Sequence, residues 1–158
     1  MTPAINSAKH AGIAFQIHEY QHDAAAQSYG LEAAEKLGVA AQQVFKTLVV
    51  ILDGKQLAVG IVPVTSQLGL KQIAKAAGAK KASMAAPGDV ERTTGYVLGG
   101  VSPLGQKKRL PTFIDDSAQT FSTLYVSAGR RGLEIELAPN DLAALCQGRF
   151  AALATTLS

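Results

Sequence analysis

Hydrophobic and polar positions follow their clearest pattern between residues 44 and 64. Two runs rich in β-branched residues, VFKTLVVIL and KQLAVGIVPV, flank the dipeptide Asp53-Gly54. Aspartate and glycine tolerate the positive φ angles that a tight hairpin turn requires, so the pattern predicts an antiparallel β-hairpin. Apolar residues occupy both alternate faces of the first run. That distribution is typical of a strand covered on both sides.

Helical segments are predicted on both sides of the hairpin, from capping residues, prolines and terminal glycines. Thr2 caps the first helix, which ends at Gly12, and Ser28 can cap a second that ends at Gly38. Apolar residues recur at helical spacing before Gly78, which predicts an amphipathic third helix. The five predicted helices cover residues 3–11, 31–37, 66–77, 89–94 and 139–148.

Further strands are predicted from short runs of β-forming residues, and these cover residues 15–20, 112–116, 123–128 and 133–138. Hairpins dominate, and strands do not alternate regularly with helices. The chain is therefore predicted to be α+β, with a central mixed, mostly antiparallel sheet flanked by helices. Its 158 residues are expected to form a single domain, 1–158.

Composition narrows the functional class. Hydrophobic residues make up 47% and charged residues 17%, an ordinary balance for a folded domain. A net charge of +3 is compatible with a polyanionic partner. The single cysteine excludes an intrachain disulfide, and the N-terminus does not resemble a signal peptide, so a cytoplasmic location is expected. The longest apolar runs are too short to span a membrane, and no membrane partner is expected.

Lys46 is the first candidate for chemistry because it interrupts an apolar strand near its beginning. A lysine there either extends its ammonium group to solvent at the strand end or meets an anionic group. The pattern leaves both interpretations open. The functional interpretation is a cation held at the mouth of a cavity.

The segment GYVLGGVSPLGQKKRLP combines backbone irregularity with positive charge. Gly99 and Gly100 carry no Cβ, so their N–H groups can approach a carbonyl oxygen or a phosphate closely, and Pro103 would stiffen the loop. A bulge or tight bend between strands explains the same composition. Seven of the fifteen basic residues fall into three clusters: Lys80-Lys81, Lys107-Lys108-Arg109 and Arg130-Arg131. Clustered cations attract phosphate backbones, although each cluster alone is typical of a solvated turn.

Familiar catalytic patterns do not emerge from the sequence. His18 and His22 are not accompanied by cysteine or carboxylate residues at metal-binding spacing, so no metal or cofactor is predicted. Cys146 lies among apolar helical positions and is expected to be a small buried residue. The chain contains no nucleophile elbow, no P-loop and no dinucleotide fingerprint.

Three motifs together resemble the bacterial YbaK family of cysteinyl-tRNA(Pro) deacylases. They are VFKTLVV, GYVLGGVSPLGQKKRLPTFID and LYVSAGRRGLEIEL, in this order and spacing. The likeness extends over nearly the whole chain and includes INSAKHAGIAF, HEY and SYGLEAAEKLG. The resemblance implies a compact α+β editing domain that removes cysteine wrongly attached to proline tRNA. The implied partners are misacylated tRNA(Pro) and prolyl-tRNA synthetase, and no DNA partner is implied.

The resemblance also implies site residues. Catalytic roles fall on Lys46, Gly99, Gly100 and Ser127. Substrate contacts fall on Tyr20, on Tyr29 before the second helix, on Pro103 and on Glu134. Contacts to tRNA are expected from Lys107, Lys108, Arg109 and Arg130. Relatives are expected to carry aspartate at position 134, and the extra methylene of glutamate changes the reach of the carboxylate.

The implied mechanism uses the thiol of the substrate cysteine to attack its own ester carbonyl, while the protein provides orientation and electrostatic stabilisation. Two alternatives remain open on the sequence. One is a deacylase for another small aminoacyl-tRNA, such as Ala-tRNA(Pro). The other is a non-catalytic module that binds tRNA or a synthetase.

Overall fold

The computed structural model describes residues 1–26 and 28–156 and contains both helices and strands in mixed order. The helices are α1 (Pro3–Ala11), α2 (Tyr29–Leu37), α3 (Leu70–Ala77), α4 (Pro87–Thr94) and α5 (Pro139–Cys146). The strands are β1 (Phe15–Glu19), β2 (Phe45–Leu52), β3 (Gln56–Pro63), β4 (Ser66–Leu68), β5 (Ala82–Met84), β6 (Thr112–Asp115), β7 (Leu124–Arg130), β8 (Leu133–Leu137), β9 (Gly148–Ala151) and β10 (Ala154–Thr156).

The first two helices begin where their capping residues predict. The Thr2 hydroxyl accepts a hydrogen bond from the N–H of Ile5 at 3.2 Å, and the Ser28 hydroxyl accepts one from Leu31 at 3.4 Å. These bonds satisfy N–H groups that the first turn of a helix leaves unpaired. The sequence suggested that Tyr29 precedes the second helix, but Tyr29 is the first residue of α2.

The predicted hairpin is confirmed as β2 and β3, paired from Phe45–Pro63 to Leu52–Gln56. Asp53 and Gly54 both adopt positive φ angles, 52° and 67°, which produces the tight turn that their residue types favour. The hairpin forms the middle of a five-stranded sheet with the order β5-β2-β3-β6-β9. Two of its strand pairs are antiparallel and two are parallel.

Two smaller sheets are also present in the described residues, and both are antiparallel. The larger has the order β1-β8-β7, and the other pairs β10 with β4. The predicted α+β class with a mixed sheet is therefore confirmed, although the central sheet is less antiparallel than expected.

The predicted third helix was wrong over Ser66–Leu68, which forms strand β4. Gly69 separates β4 from α3 and donates its N–H to the carbonyl of Leu153 at 2.8 Å.

The core lies on both faces of the five-stranded sheet. On one face, Val49 and Ile61 pack with α1, α4, α5 and the apolar side of the three-stranded sheet. On the other face, Val50 and Val62 pack with Ile73 of α3. Strand β2 is therefore covered on both sides, as its apolar pattern predicts. Its first residues emerge where the five-stranded and three-stranded sheets meet.

Asp115 ties the end of β6 to the chain that leads into β10. Its Oδ1 accepts hydrogen bonds from the N–H groups of Leu153 at 2.9 Å and Ala154 at 2.8 Å, and its Oδ2 accepts from Ser117. Burial acts to raise the pKa of this carboxyl, but the hydrogen bonds outweigh it and hold the pKa below its ordinary value.

We expect Asp115→Ala to lower the free energy of unfolding by about 2 kcal/mol, because it leaves the backbone N–H groups of Ser117, Leu153 and Ala154 without their acceptor. Urea denaturation at neutral pH measures the loss. Asp116→Ala is the matched control, because Asp116 is exposed and adjacent. Equal stability of the two variants would contradict the assigned role.

Candidate active site

A cavity of about 300 Å³ opens where β2, the start of α2, the 98–101 loop and the β7–β8 hairpin converge. Its volume is at the lower end of the range for small-ligand sites. Six of the residues expected from the sequence line it: Tyr20, Tyr29, Lys46, Gly99, Ser127 and Glu134. Eight others also line it: Ser28, Gly30, Phe45, Thr47, Leu48, Leu98, Val101 and Arg131.

Lys46 brings a cation into a largely apolar part of the cavity wall. It lies next to buried Phe45 and is paired across the hairpin with buried Val62. Partial burial lowers the pKa of its ammonium group below the ordinary value. In the part of the chain that the structure describes, no carboxylate lies within 4.0 Å of it. The ammonium group is thus available to an anionic or polar ligand.

Thr47 contributes a buried hydroxyl to the same wall. Its Oγ1 makes no hydrogen bond to any of the described residues. A buried hydroxyl without a partner costs about 1–3 kcal/mol.

The three-stranded sheet presents its polar face to the cavity side. His18, Glu134 and Ser127 lie side by side across its three strands, whereas Ile17, Ile135 and Val126 point into the core on the other face. This is the alternation expected of a sheet with only one apolar face.

Glu134 is 7% exposed, and burial raises the pKa of its carboxyl to about 8. Burial is also the main reason that the pKa of Tyr20 is raised to about 12, and the nearby Glu134 carboxylate adds to the effect. At neutral pH the Glu134 carboxyl is therefore mostly protonated and can donate a hydrogen bond into the cavity.

The Ser127 hydroxyl has a defined local partner. Its Oγ accepts a hydrogen bond from the N–H of Gly129 at 3.1 Å, inside the irregular stretch where β7 loses its regular pairing with β8. A serine oxygen held in this way keeps its own proton for an outside acceptor.

Gly99 could not be replaced by another residue without collision. Its φ is +86°, and a Cβ added there would lie 2.5 Å from Nε of Arg131 and 2.7 Å from the Tyr29 ring. Gly100 differs from the expectation, because its N–H donates to the carbonyl of Val97 at 3.0 Å and it does not line the cavity. Of the two glycines, Gly99 is the one in position to approach a ligand.

Arg131 was not among the expected site residues, yet it closes one side of the cavity. Its guanidinium lies 4.2 Å from the centre of the Tyr29 ring, and Nη2 donates to the carbonyl of Leu98 at 3.0 Å. The arginine therefore holds the glycine loop against α2. Arg131 follows the end of β7, in the turn to β8, and the strand predicted over residues 123–128 stops before it, so strand alternation did not predict its direction.

A buried carboxylate fixes the loop that carries Tyr20 to helix α2. Glu32 accepts hydrogen bonds from the N–H of Asp23 at 2.7 Å and from Lys36 at 3.0 Å, and it bonds to His22 at 2.7 Å. Burial alone would raise the pKa of Glu32, but these three bonds outweigh it and lower the pKa to about 2. The network holds both tyrosine-bearing segments in place.

The other expected residues lie elsewhere. Pro103 lines a second, smaller cavity together with Arg109. It does not line the main cavity, where its contact with substrate was expected. Lys107 and Lys108 are exposed, and their backbone N–H groups donate to carbonyls at the end of α4. Arg130 is exposed and lies 3.8 Å from Glu19.

Neither a metal cluster nor a membrane helix is found in the described ranges. No group of three His, Cys, Asp or Glu residues there is arranged to hold a metal ion. No helix among the same residues is long and apolar enough to cross a membrane.

Comparison with known proteins identifies the family. The family model described as the aminoacyl-tRNA editing domain matches residues 24–145, more than half of the chain. This chain belongs to the aminoacyl-tRNA editing domain family. The membership confirms the family predicted from the three sequence motifs and assigns the chain to the removal of wrongly attached amino acids from tRNA.

Two curated relatives of this editing domain have clear sequence similarity. EbsC of Enterococcus faecalis, which carries the provisional name Cys-tRNA(Pro)/Cys-tRNA(Cys) deacylase, is 45% identical over 122 residues, covering 77% of this chain and 74% of EbsC. YwhH of Bacillus subtilis, an uncharacterised protein, is 31% identical over 111 residues, covering 70% of each chain.

Solved structures share the fold of this editing domain at lower identity. A protein provisionally described as a trans-editing enzyme for prolyl-tRNA synthetase has a TM-score of 0.84 at 23% identity, covering 97% of this chain and 95% of its own. The hypothetical protein APE2540 has a TM-score of 0.86 at 22% identity, covering 97% and 99%. At these low identities, the structural similarity establishes a shared fold and nothing further.

We expect Glu134→Gln to be more stable than the wild type at about pH 8.5 and nearly equal to it at about pH 5. The wild-type chain retains the Glu134 proton up to a pKa of about 8 when folded but loses it near 4.5 when unfolded. Its stability therefore falls as pH rises through that window, and glutamine, which does not titrate, removes this decline. Thermal denaturation at both pH values measures the difference.

Glu136→Gln is the matched control, and its effect on stability is expected to have the opposite sign. Burial acts to raise the pKa of Glu136, but hydrogen bonds from Thr123 and His18 lower it below its ordinary value. The folded state therefore gains stability when Glu136 ionises, and Glu136→Gln should be the less stable protein at neutral pH. A Glu134→Gln variant whose stability followed the wild-type pH dependence would refute the buried, protonated carboxyl.

Proposed function

We propose that this chain hydrolyses Cys-tRNA(Pro), acting as a free-standing editing deacylase. The observation that carries the proposal is a small cavity that combines the unpaired Lys46, the Ser127 hydroxyl and the Gly99 loop, and in which no described residue is an activated nucleophile. The name of EbsC, a relative with 45% identity, supports the same substrate class.

Cys146 and Ser127 are both poor candidates for a nucleophile. The Cys146 thiol is buried outside the main cavity and donates to the carbonyl of Leu142 at 3.1 Å, and burial raises its pKa to about 11. No histidine hydrogen-bonds to Ser127 among the residues that the structure describes, and His18 bonds instead to Glu136. Attack by a group of the substrate itself removes the need for either.

In the proposed step, the sulfur of the substrate cysteine attacks its own ester carbonyl carbon. A C–S bond forms, the C–O bond to the terminal ribose breaks, and the thiol proton goes to the departing ribose oxygen. Water then opens the cyclic thioester. Holding the thiol and the ester in a reactive arrangement can provide about 7–11 kcal/mol of the barrier reduction.

Residues of the cavity take separate roles in this proposal. Lys46 binds the terminal ribose or phosphate of the tRNA, and the N–H of Gly99 donates to the developing oxyanion. Ser127 orients the aminoacyl group through its free proton. Glu134, with a pKa of about 8, can exchange a proton near neutral pH and is placed here as the relay to the leaving oxygen. Arg131 keeps the Gly99 loop closed over Tyr29.

Contacts to the rest of the tRNA are proposed for Lys107, Lys108, Arg109 and Arg130, which lie outside the cavity. Prolyl-tRNA synthetase is proposed as an additional partner that could deliver the misacylated tRNA. Cleavage of Ala-tRNA(Pro) stays the alternative within the same class, because a cavity of about 300 Å³ also admits alanine. A panel of cysteinyl, alanyl and seryl esters on one tRNA(Pro) separates these substrates.

We expect Lys46→Met to reduce single-turnover deacylation of Cys-tRNA(Pro) by about 10²-fold or more, because an electrostatic contact to the bound ester is lost. Methionine replaces the apolar stem of lysine as far as Cε and lacks only the ammonium group, so the melting temperature should not fall. Lys9→Met, on the exposed face of α1, serves as the matched control and should retain the wild-type rate. A folded Lys46→Met protein with near wild-type activity would remove Lys46 from the mechanism.

We also expect masking of the substrate thiol to stop turnover by the wild-type protein. S-methylcysteinyl-tRNA(Pro) has nearly the same shape as the substrate but has lost the attacking sulfur nucleophile. Deacylation followed by release of the labelled amino acid measures the effect, with the unmodified ester as control. Rapid cleavage of the methylated substrate would overturn attack by the substrate thiol and indicate a bound water as nucleophile.

A further inference from the structure

A lysine-rich surface lies at the far end of the β2–β3 hairpin from the cavity. Its five members are exposed and come from the hairpin turn, from α3 and from the loop after α3: Lys55, Lys71, Lys75, Lys80 and Lys81. No acidic residue occurs in the sequence between Asp53 and Asp89. We call these five residues the α3 lysine surface.

Backbone hydrogen bonds hold the parts of this surface together. Oδ1 of Asp53 accepts from the N–H groups of Lys80 and Lys81, each at 3.0 Å, and the N–H of Asp53 donates to the carbonyl of Lys81 at 2.9 Å. The loop after α3 is thereby fixed to the hairpin turn that carries Lys55. The Asp53 carboxylate accepts from these backbone donors, and it forms no ion pair with a lysine side chain of the described residues.

The positive charge of the surface is uncompensated within the described ranges, where no carboxylate lies within 4.0 Å of any of the five ammonium groups. Lys71 and Lys75 are four residues apart on the solvent side of α3, opposite buried Ile73 and Ala74. Like charges at this spacing disfavour a helix slightly. The segment from Lys55 to Lys81 thus carries five exposed cations, although the whole chain has a net charge of only +3.

We propose that the α3 lysine surface binds the phosphate backbone of the tRNA whose aminoacylated end occupies the cavity. The inference rests on the proposed function and extends it to a second contact region, separate from Lys107, Lys108 and Arg109. Strand β2 connects the two places directly, since Lys46 lies near its beginning and Asp53 follows its end. At about 3.3 Å per residue the separation is about 23 Å. A polyanion with its 3′ end at Lys46 continues well beyond that distance.

The test compares two double variants that remove the same charge. Lys80→Gln/Lys81→Gln changes the α3 lysine surface. Lys9→Gln/Arg149→Gln is the control, because both residues are exposed and Arg149 lies on β9, the edge of the five-stranded sheet opposite β5. Binding of uncharged tRNA(Pro) is measured by filter retention or anisotropy over a series of salt concentrations.

We expect the Lys80/Lys81 variant to bind more weakly and to reduce the slope of log affinity against log salt by about 2, since two phosphate contacts and their released counterions are lost. The control should keep the wild-type slope. Equal changes in both variants would mean that net charge alone matters, and no change in the test variant would mean that tRNA does not contact the surface. Either result overturns the proposal.

A short substrate separates this proposal from the proposed function. Both double variants should cleave a cysteinyl ester of the CCA trinucleotide at the wild-type rate, because that ester is too short to reach the α3 lysine surface. On subsaturating Cys-tRNA(Pro), only the Lys80/Lys81 variant should be slow. If the wild type cleaves neither ester, the proposed function fails, while the binding series still tests the surface. If the test variant is slow on the short ester as well, or binds less only when prolyl-tRNA synthetase is present, the proposed tRNA contact is wrong.

Discussion

The packing of strand β2 between two apolar layers is the constraint on which the rest of this structure depends. Its alternate residues enter separate cores, with Val49 on the side of the three-stranded sheet and Val50 on the side of α3. A one-residue slip of this strand would exchange the two sets and carry Lys46 to the opposite face. The same packing that stabilises the fold therefore determines where the cation enters the cavity.

Burial also determines the charge state of the cavity. A carboxyl in contact with solvent would be ionised at neutral pH, but Glu134 lies in the wall between two strands and has a pKa of about 8. The partly buried Lys46 has a lowered pKa for the same reason. The cavity thus contains polar groups whose hydrogen bonds are not fully used within the protein. Such a site suits a reaction in which the substrate brings its own nucleophile and the protein provides position and hydrogen bonds.

Local signals in the sequence predicted the features that depend on neighbouring residues. The Asp53-Gly54 turn, the caps at Thr2 and Ser28 and the doubly covered strand all followed from residue types at short range. Strands β4, β5, β9 and β10 were not predicted, because each has only three or four residues and is stabilised by pairing with a strand far away in the chain. Residue 148, the first of β9, was instead predicted as helix. The helical pattern of the sequence continues through Ser66–Leu68, so it could not show that pairing with β10 outweighs helix formation there.

Within the cavity, six expected residues came together, whereas Pro103 and Gly100 did not join them. Sequence proximity to Gly99 suggested a shared role, but the turn from Val97 to Gly100 uses one N–H internally and directs Pro103 towards a second cavity. Arg131 was missed because the adjacent Arg130 has the same chemistry. Arg131 faces the cavity from the turn that follows β7, whereas Arg130, the last residue of β7, lies beside Glu19.

The irregular pairing of β7 has a consequence for how this hairpin can vary in length. Ser127 pairs with Glu134 and Arg130 pairs with Leu133, so two residues of β7 have no counterpart on β8. An even number of extra residues leaves the alternation of faces intact. Loss of both would shorten the hairpin yet keep an arginine over Tyr29, whereas loss of one would turn that arginine away from the cavity. Natural insertions and deletions here should therefore occur in pairs.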